Sequence, residues 1–312
     1  MERLDAMRVF VTVAGTGGFA PAARQLDLSP PAVTRAIAAL ERRLGTRLLQ
    51  RTTRVVRLTE AGERFLEDCR RILAEIEDAE AAAAGSHREL RGSLGVTAPV
   101  MFGRLHVTPL ALEFLRRHPR VEIRTLFVDR VVNLLEERMD LAVRIGHLPD
   151  SSLTAIRVGA VRRVACAAPG YLAARGTPAT PTDLTAHEVV SFAGLNAGRD
   201  WTFRDGADAV KIPVAPRFTT NLPDVAIAAA RAGHGVTRLL SYMVAADFAD
   251  GTLVPVLVDW EPAPVPVHIV HGGAREASTR VRACIDHLVA GLRRLDRASQ
   301  PSGDVQPGAP VA

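Results

Sequence analysis

Cysteine is scarce and placed where it pairs with nothing. Cys69, Cys166 and Cys284 are odd in number, far apart and without metal-ligand spacing, which speaks against a disulfide framework and implies a reducing compartment. No uninterrupted apolar segment reaches membrane-spanning length, and the acids Glu2 and Asp5 ahead of a short apolar run from Val9 do not make a signal peptide. A soluble, cytoplasmic protein with no membrane partner is expected. The chain also lacks a GxSxG elbow, a P-loop, an HExxH pair and a Rossmann glycine fingerprint, so enzyme readings have no anchor, and neither catalytic residues nor a cofactor are expected. His268 and His271 lie close together on a strand with no third ligand nearby and read as structural or surface residues rather than a metal site. Cys166, in an apolar strand, reads as a small buried thiol, and Asp129 beside Arg130 as a solvated turn.

What is present is length, apolar content and an uneven charge. At 312 residues the chain suggests two or three domains, and 47% hydrophobic residues suffice for real cores. The net charge is +5, but residues 1–58 hold 10 arginines against 4 acids, a balance of +6, which leaves 29 basic and 30 acidic residues elsewhere. A basic first fifth beside a nearly neutral remainder points to a polyanion that meets the N-terminal module alone. A membrane surface is the rival partner, but no apolar anchor accompanies the charge.

The stretch Ser29 to Gly45, SPPAVTRAIAALERRLG, organises that module. Ser29 is a good N-cap, Pro30 falls where a helical N–H would be unpaired anyway, and Gly45 follows the last periodic residues as a stop. At 100° per residue Val33, Ile37, Leu40 and Leu44 share an apolar face, and Pro31, Thr34, Arg35, Ala38 and Arg42 the opposite one. Small residues let a backbone sink into a groove, and guanidinium forks onto phosphate or a guanine edge, so the outer face suits the DNA major groove. Such arginines are more often ordinary solvated surface; the context decides. Leu4, Met7, Phe10, Val11 and Ala14 make an amphipathic first helix, and Phe19, Ala22, Ala23 and Leu26 a short second one. Leu48–Arg51 and Val55–Leu58 read as two short strands around Thr52, Thr53 and Arg54, rimmed by Arg51, Arg54 and Arg57. That is a winged helix-turn-helix.

The run LDAMRVFVTVAGTGGFAPAARQLDLSPPAVTRAIAALERRLGTRLLQRTTRVVRLTEAGERF, together with DLAVRIG at Asp140 to Gly146, resembles the LysR-type transcriptional regulators. Two departures stand out. Gly18 replaces the serine that usually caps the second helix, at a cost of roughly a few tenths of a kcal/mol. Pro30 stands where a glutamine or serine often touches DNA, which leaves Thr34 and Arg35 carrying more of the readout. The resemblance implies double-stranded DNA as a partner, a small-molecule effector, and a homodimer through linker helices that doubles into a homotetramer. The DNA-binding set is then Pro30, Pro31, Thr34, Arg35, Arg51 and Arg54.

Residues 1–58 therefore form the DNA-binding domain and 59–88 the linker. Thr59 opens a helix with Glu60 in its first turn, and Phe65, Cys69, Ile72, Ile76, Ala79 and Ala83 recur at spacings of four and three. About 29 residues make a rod of roughly 43 Å, whose seam suits the same helix of a second subunit. The alternative is a helix packed along its own domain. From residue 89 to 296 strands and helices alternate: Leu94–Thr97, Val121–Leu126 and Leu141–Ile145 as strands, Phe102–Arg117 (interrupted or kinked at Pro109) and Arg130–Arg138 as helices. Alternation of this kind predicts a parallel sheet covered by helices. Val161–Ala168 leaves this half and Val265–Val270 returns before a closing helix from Ser278 to about Leu295. The helical pieces Pro169–Arg175, Asp183–Leu184 and Asp224–Ala232 fall in the second half. Half I takes 92–162 with 268–296, half II takes 163–267, and the pair resembles an α/β periplasmic-binding-protein-like (type 2) effector domain. Residues 297–312, rich in proline and glycine, read as a disordered tail.

In open α/β sheets ligands bind beyond the carboxyl ends of strands, where helix N-termini present free N–H groups. Those positions are Thr97, Ala98, Pro99, Val100, Arg144, Gly146, Thr220 and Asn221. Thr97 and Asn221 can hydrogen-bond a small polar molecule, and Arg144 either pairs with a ligand carboxylate or ties Asp129 or Asp140 in place. A mainly apolar cleft for a small organic acid or aromatic metabolite is expected. The competing class is a small-molecule binding protein or enzyme of the same fold with an incidental helix-turn-helix.

Overall fold

A computed structural model describes residues 2–51, 56–83, 89–194, 200–272 and 278–299. The chain divides into two compact units, one of residues 1–93 with 118–122 and 278–280, the other of the remainder.

In the first unit α1 (Arg3–Thr16), α2 (Phe19–Gln25) and α3 (Pro30–Leu44) close around Phe10, Val13, Ala22, Val33 and Ile37, all fully buried. Glu2 and Asp5 cap α1 reciprocally, and Gly17 ends it in the left-handed conformation. Gly18 caps α2 with extended backbone and no side-chain acceptor. Ser29 Oγ accepts the Ala32 N–H at 3.3 Å to open α3, and Gly45, at φ 67°, closes it. The inward face is Val33, Ala36, Ile37 and Leu40. Leu44, expected on that face, is 39% exposed because the core ends at Leu40 and the last turn runs beyond it. Strands β1 (Leu49–Arg51) and β2 (Val56–Leu58) pair antiparallel, Leu49 opposite Leu58. Val55, expected to begin the second strand, lies outside the described residues with the hairpin tip.

Helix α4 (Glu60–Ala83) starts on Thr59, whose Oγ1 accepts the Gly62 N–H at 2.9 Å and donates to the Arg47 carbonyl at 2.8 Å. A Cβ on Gly62 would stand 2.0 Å from the Leu48 carbonyl oxygen, so only glycine lets the helix lie so close to the start of β1. Leu66, Cys69 and Leu73 are buried in the core of α1–α3, and Phe65 and Ile72 lean on it, with the Phe65 ring 5.6 Å from that of Phe10. The first half of the expected intersubunit seam is thus packed on this chain's own α1. A four-and-three spacing serves a seam and an intramolecular core equally, and the nearer apolar surface takes it. Ile76 stays half-buried, and the side chains of Ala79 and Ala83 and the residues 84–88 lie outside the described residues.

The second unit is built on two five-stranded sheets. In the first, β3 (Arg91–Ala98), β4 (Arg120–Phe127), β5 (Leu141–Ile145), β6 (Thr154–Val161) and β14 (Val265–His271) lie in the order β4-β3-β5-β14-β6. In the second, β7 (Arg163–Ala167), β8 (Val189–Phe192), β11 (Phe218–Thr220), β12 (Val236–Leu240) and β13 (Val254–Val256) lie in the order β11-β8-β12-β7-β13. A hairpin of β9 (Asp200–Asp205) and β10 (Asp208–Pro213) stands apart from both. The purely parallel sheet of the sequence reading is corrected to two mixed ones. β3–β5, β11–β8 and β12–β8 are parallel, whereas β14 runs antiparallel to β5 and β6, and β7 to β12 and β13. Strands that arrive from the other half do so without a crossover helix, which removes the constraint that makes neighbours parallel. The half boundary expected at 267/268 falls inside β14, which begins at Val265.

Helix α5 (Val100–Phe102) widens into a π turn over Gly103–Val107 and continues as α6 (Thr108–Arg117). Pro109 falls in the first turn of the resumed helix, where its missing N–H does least harm. Arg130–Arg138, expected as a helix, is irregular chain to Asn133 followed by turns over residues 134–138. Asn133 Oδ1 takes the Leu135 N–H at 3.1 Å, Arg138 is left-handed at φ 53°, and Val132, Leu134 and Met139 bury at a spacing no helix has. In the second half α7 (Pro169–Arg175) and α8 (Pro223–Arg231) stand near their expected places, the 3-10 turn Pro181–Ala186 replaces Asp183–Leu184, and α9 (Ala245–Asp250) is added. Helix α10 (Thr279–Ser299) runs past Leu295, so 297–299 belong to it rather than to a tail, and residues 300–312 lie outside the described residues.

Candidate DNA interface and effector cleft

The outer face of α3 is open where the sequence placed it. Pro30, Pro31, Arg35 and Arg42 are exposed and Thr34 is partly so, its Oγ1 donating to the Pro30 carbonyl at 3.0 Å. That bond spends the hydroxyl proton and leaves Thr34 an acceptor. Behind the helix, Glu41 accepts the N–H groups of Leu48 at 2.9 Å and Leu49 at 3.1 Å, which fixes the wing's first strand against α3. Glu41 was not singled out from sequence, although an acid inside an otherwise basic helix is the signal it offered. Arg51 ends β1, and Arg54 lies outside the described residues.

The expected ligand positions lie in the second unit, and several are already engaged. Thr97 is 3% exposed and donates its hydroxyl to the Leu126 carbonyl at 2.6 Å. Ala98 is buried, with its carbonyl on the Val128 N–H. Pro99 caps the helix that starts at Val100, and the Val100 N–H is taken by Asp129 Oδ1 at 3.0 Å. Asp129 is therefore a cap at a strand's carboxyl end and not merely a solvated turn; loss of solvent around it raises its pKa against the pull of the Val100 hydrogen bond. Arg144 Nη2 donates to the Val132 carbonyl at 2.7 Å, while Asp140 accepts the Gly95 N–H at 2.6 Å. Gly146 sits at φ 139° and donates to the Pro266 carbonyl at 2.9 Å. Thr220 Oγ1 accepts the Leu222 N–H at 3.1 Å, and Asn221 is exposed.

Sequence reasoning missed what joins the two halves. Tyr242, just after β12, places its ring 5.1 Å from Phe102 and 5.5 Å from His106, which are themselves 4.8 Å apart. The Tyr242 hydroxyl is buried without a hydrogen-bond partner, and burial, then the charge of Asp129, hold it protonated. Burial lowers the pKa of His106. Arg104 pairs with Asp224 of α8 at 2.9 Å, and at the crossovers Arg162 pairs with Glu261 at 2.9 Å. Burial pushes all three thiols, Cys69, Cys166 and Cys284, up to about 12, so none is a nucleophile at neutral pH. Among the described residues no group of three or more His, Cys, Asp or Glu is placed to hold a metal, and no helix is long and apolar enough to cross a membrane. His268 pairs across strands with Arg144, and His271 is buried.

A winged helix-turn-helix with an open basic face, followed by two α/β halves each built on a five-stranded sheet, defines a DNA-binding regulator with a ligand-binding domain. Comparison with known proteins gives the class its name. Residues 4–63 match the model of the bacterial regulatory helix-turn-helix protein, lysR family, and residues 87–293 that of the LysR substrate binding domain. The chain belongs to the LysR-type transcriptional regulators. An HTH-type transcriptional repressor of Pseudomonas aeruginosa strain UCBPP-PA14 is 34% identical over 294 residues, 93% of this chain and 92% of that one. The regulator CrgA of Neisseria meningitidis serogroup B is 32% identical over 289 residues, 92% and 96% of the two chains. The solved CrgA structure superposes with a TM-score of 0.60 at 31% identity, covering 92% of this chain and 98% of that one. The full-length Vibrio cholerae virulence activator AphB superposes with 0.59 at 26% identity, covering 93% and 99%.

Proposed function

We propose that this regulator reads its operator through Pro31, Thr34 and Arg35, with Pro30 at the helix start and Arg51 and Arg54 on the wing against phosphates or the minor groove. The observation that carries the reading is the exposed outer face of α3, where Arg35 and Arg42 project beside small residues with no acid among them. It works in the cytoplasm as a homo-oligomer joined first through the linker helices, and it is not an enzyme. Two DNA modules held apart need a long, roughly palindromic site. Footprinting of the full-length protein on the DNA flanking its own gene tests the reading, with protection expected for the intact chain and none after removal of residues 1–58.

The effector site in this reading is the cleft at Thr97–Val100, Arg144, Gly146, Thr220 and Asn221, between the sheets. A bound molecule favours one placement of the two halves, and the linker helices pass it to the spacing of the DNA modules; this requires different affinities for the two states. The aromatic contact of Tyr242 with Phe102 and His106 and the Arg104–Asp224 pair both bridge the halves and support the reading. A metabolite screen by thermal shift, followed by footprinting with each hit, tests it; a stabilising compound that leaves the footprint unchanged is not the effector.

A further inference from the structure

The outward face of α10 gathers positive charge. Val281, Cys284, Ile285, Leu288 and Leu292 seat the helix in the core. At 100° per residue Asp286, Val289, Ala290, Arg293, Arg294 and Arg297 then fall together on the other side, where they line a cavity of about 530 Å³. That volume lies within the range of small-molecule sites, roughly 300–1,000 Å³. Three guanidinium groups and one carboxylate line it, and among the described residues none of the three arginines makes an ion pair. The hydrogen bonds that orient them go to neutral carbonyls, from Arg293 Nη2 to Arg157 at 3.1 Å and from Arg297 Nε to Arg293 at 3.4 Å, and a carbonyl leaves the charge in place. Asp296, next to Arg297 in sequence, is turned instead to the edge strand β6, where its Oδ1 accepts the Ala160 N–H at 3.0 Å. Glycine at 159 leaves room for that carboxylate, since a Cβ there would run into it.

The cavity is also polarised along the helix. Asp286 stands seven residues, roughly 10 Å of axis, before Arg293, with Val289 and Ala290 between them. Guanidinium groups fork onto phosphate oxygens, short apolar side chains accept a carbon body, and a carboxylate accepts from hydroxyl groups while repelling a second anion. We propose that this face of α10 binds a small phosphate monoester with a hydroxylated carbon body, its phosphate on Arg293, Arg294 and Arg297 and its hydroxyl groups on Asp286. The site shares no residue with the effector positions or with the DNA-reading face of α3, and it depends on neither.

Calorimetric titration of the full-length protein with glucose 6-phosphate, inorganic phosphate and glucose, at fixed chloride and pH 7.5, tests the proposal. Glucose 6-phosphate is expected to bind once per subunit and more tightly than inorganic phosphate, and glucose not to bind. Arg294→Gln and Arg297→Gln are each expected to weaken the ester and phosphate alike by about tenfold. Asp286→Ala is expected to remove the advantage of the ester, because phosphate has no hydroxyl-bearing body to lose and gains when a neighbouring like charge goes. Arg35→Gln, on the other basic face, is expected to leave all three titrations unchanged. No binding of glucose 6-phosphate, glucose binding as tightly as its phosphate, or an affinity unchanged in Arg294→Gln and Arg297→Gln overturns the proposal. So does an equal loss in Arg35→Gln, the mark of general screening of a basic protein, or an ester advantage that survives Asp286→Ala. Absent binding together with a flatter salt dependence of operator binding in the Arg294→Gln, Arg297→Gln double variant gives this face to duplex DNA instead.

Discussion

In the proposed reading Arg35 and Arg54 make two different kinds of DNA contact. Arg35→Ala is expected to relax preference among operator variants, since a bidentate guanine contact is worth ~1–3 kcal/mol, and gel-shift titration on sites mutated singly measures that loss. Arg54→Ala is expected to weaken all sites alike and flatten the salt dependence, because released counterions set that slope. Asp129 gives a pH prediction. Its folded pKa is raised, so ionisation costs stability at neutral pH and the cost disappears as pH falls through that raised value. Asp129→Asn should therefore gain stability relative to wild type at pH 7.5, and the gain should vanish as pH approaches the ordinary carboxylate range near ~4, followed by chemical denaturation. A constant difference across that range would show that the charge is not the cause. At this scale the outer face of α3 was legible because the exposure of Arg35 and the partial exposure of Thr34 follow from a 100° period. The role of Asp129 was hidden because it depends on Val100, 29 residues away in sequence.

Helices and strands were legible where one period dominates and ambiguous where two environments share it. The caps of α3 stand where Ser29, Pro30 and Gly45 put them. The spacing of Phe65, Cys69 and Ile72 announced a helix but not its partner, which is this chain's own α1 in the first half of α4. Residues 130–138 misled because apolar residues alternate with charged ones at helix-like intervals, while an Asn133 side-chain bond and the left-handed Arg138 break the helix. Two substitutions test how α4 and the wing are joined. Gly62→Ala drives a methyl into the Leu48 carbonyl and is expected to cost about 1–3 kcal/mol, read as a lower midpoint in urea. Glu41→Gln keeps one acceptor for Leu48 and Leu49 and should be milder than Glu41→Ala, which leaves both N–H groups without it.

At the scale of the molecule, a basic reader and a ligand-binding domain are joined in one chain, and each makes sense only if the first engages DNA. The charge asymmetry of the first 58 residues already indicated a polyanion, and the outer face of α3 is exposed, as the proposed reading needs. Assembly is the less legible part, since half of the presumed seam is occupied within the subunit. Ile76, half-buried and beyond that core, is the better probe: Ile76→Asp is expected to yield monomers by light scattering, and an unchanged mass would place the interface elsewhere. The most direct test of the whole account is selection from a random duplex library by the full-length protein, sequenced in parallel for wild type and Arg35→Ala. The account predicts one roughly palindromic motif enriched by wild type, and a motif degraded at specific base positions for Arg35→Ala. No common motif for wild type, or the same motif with equal sharpness for the variant, would contradict it.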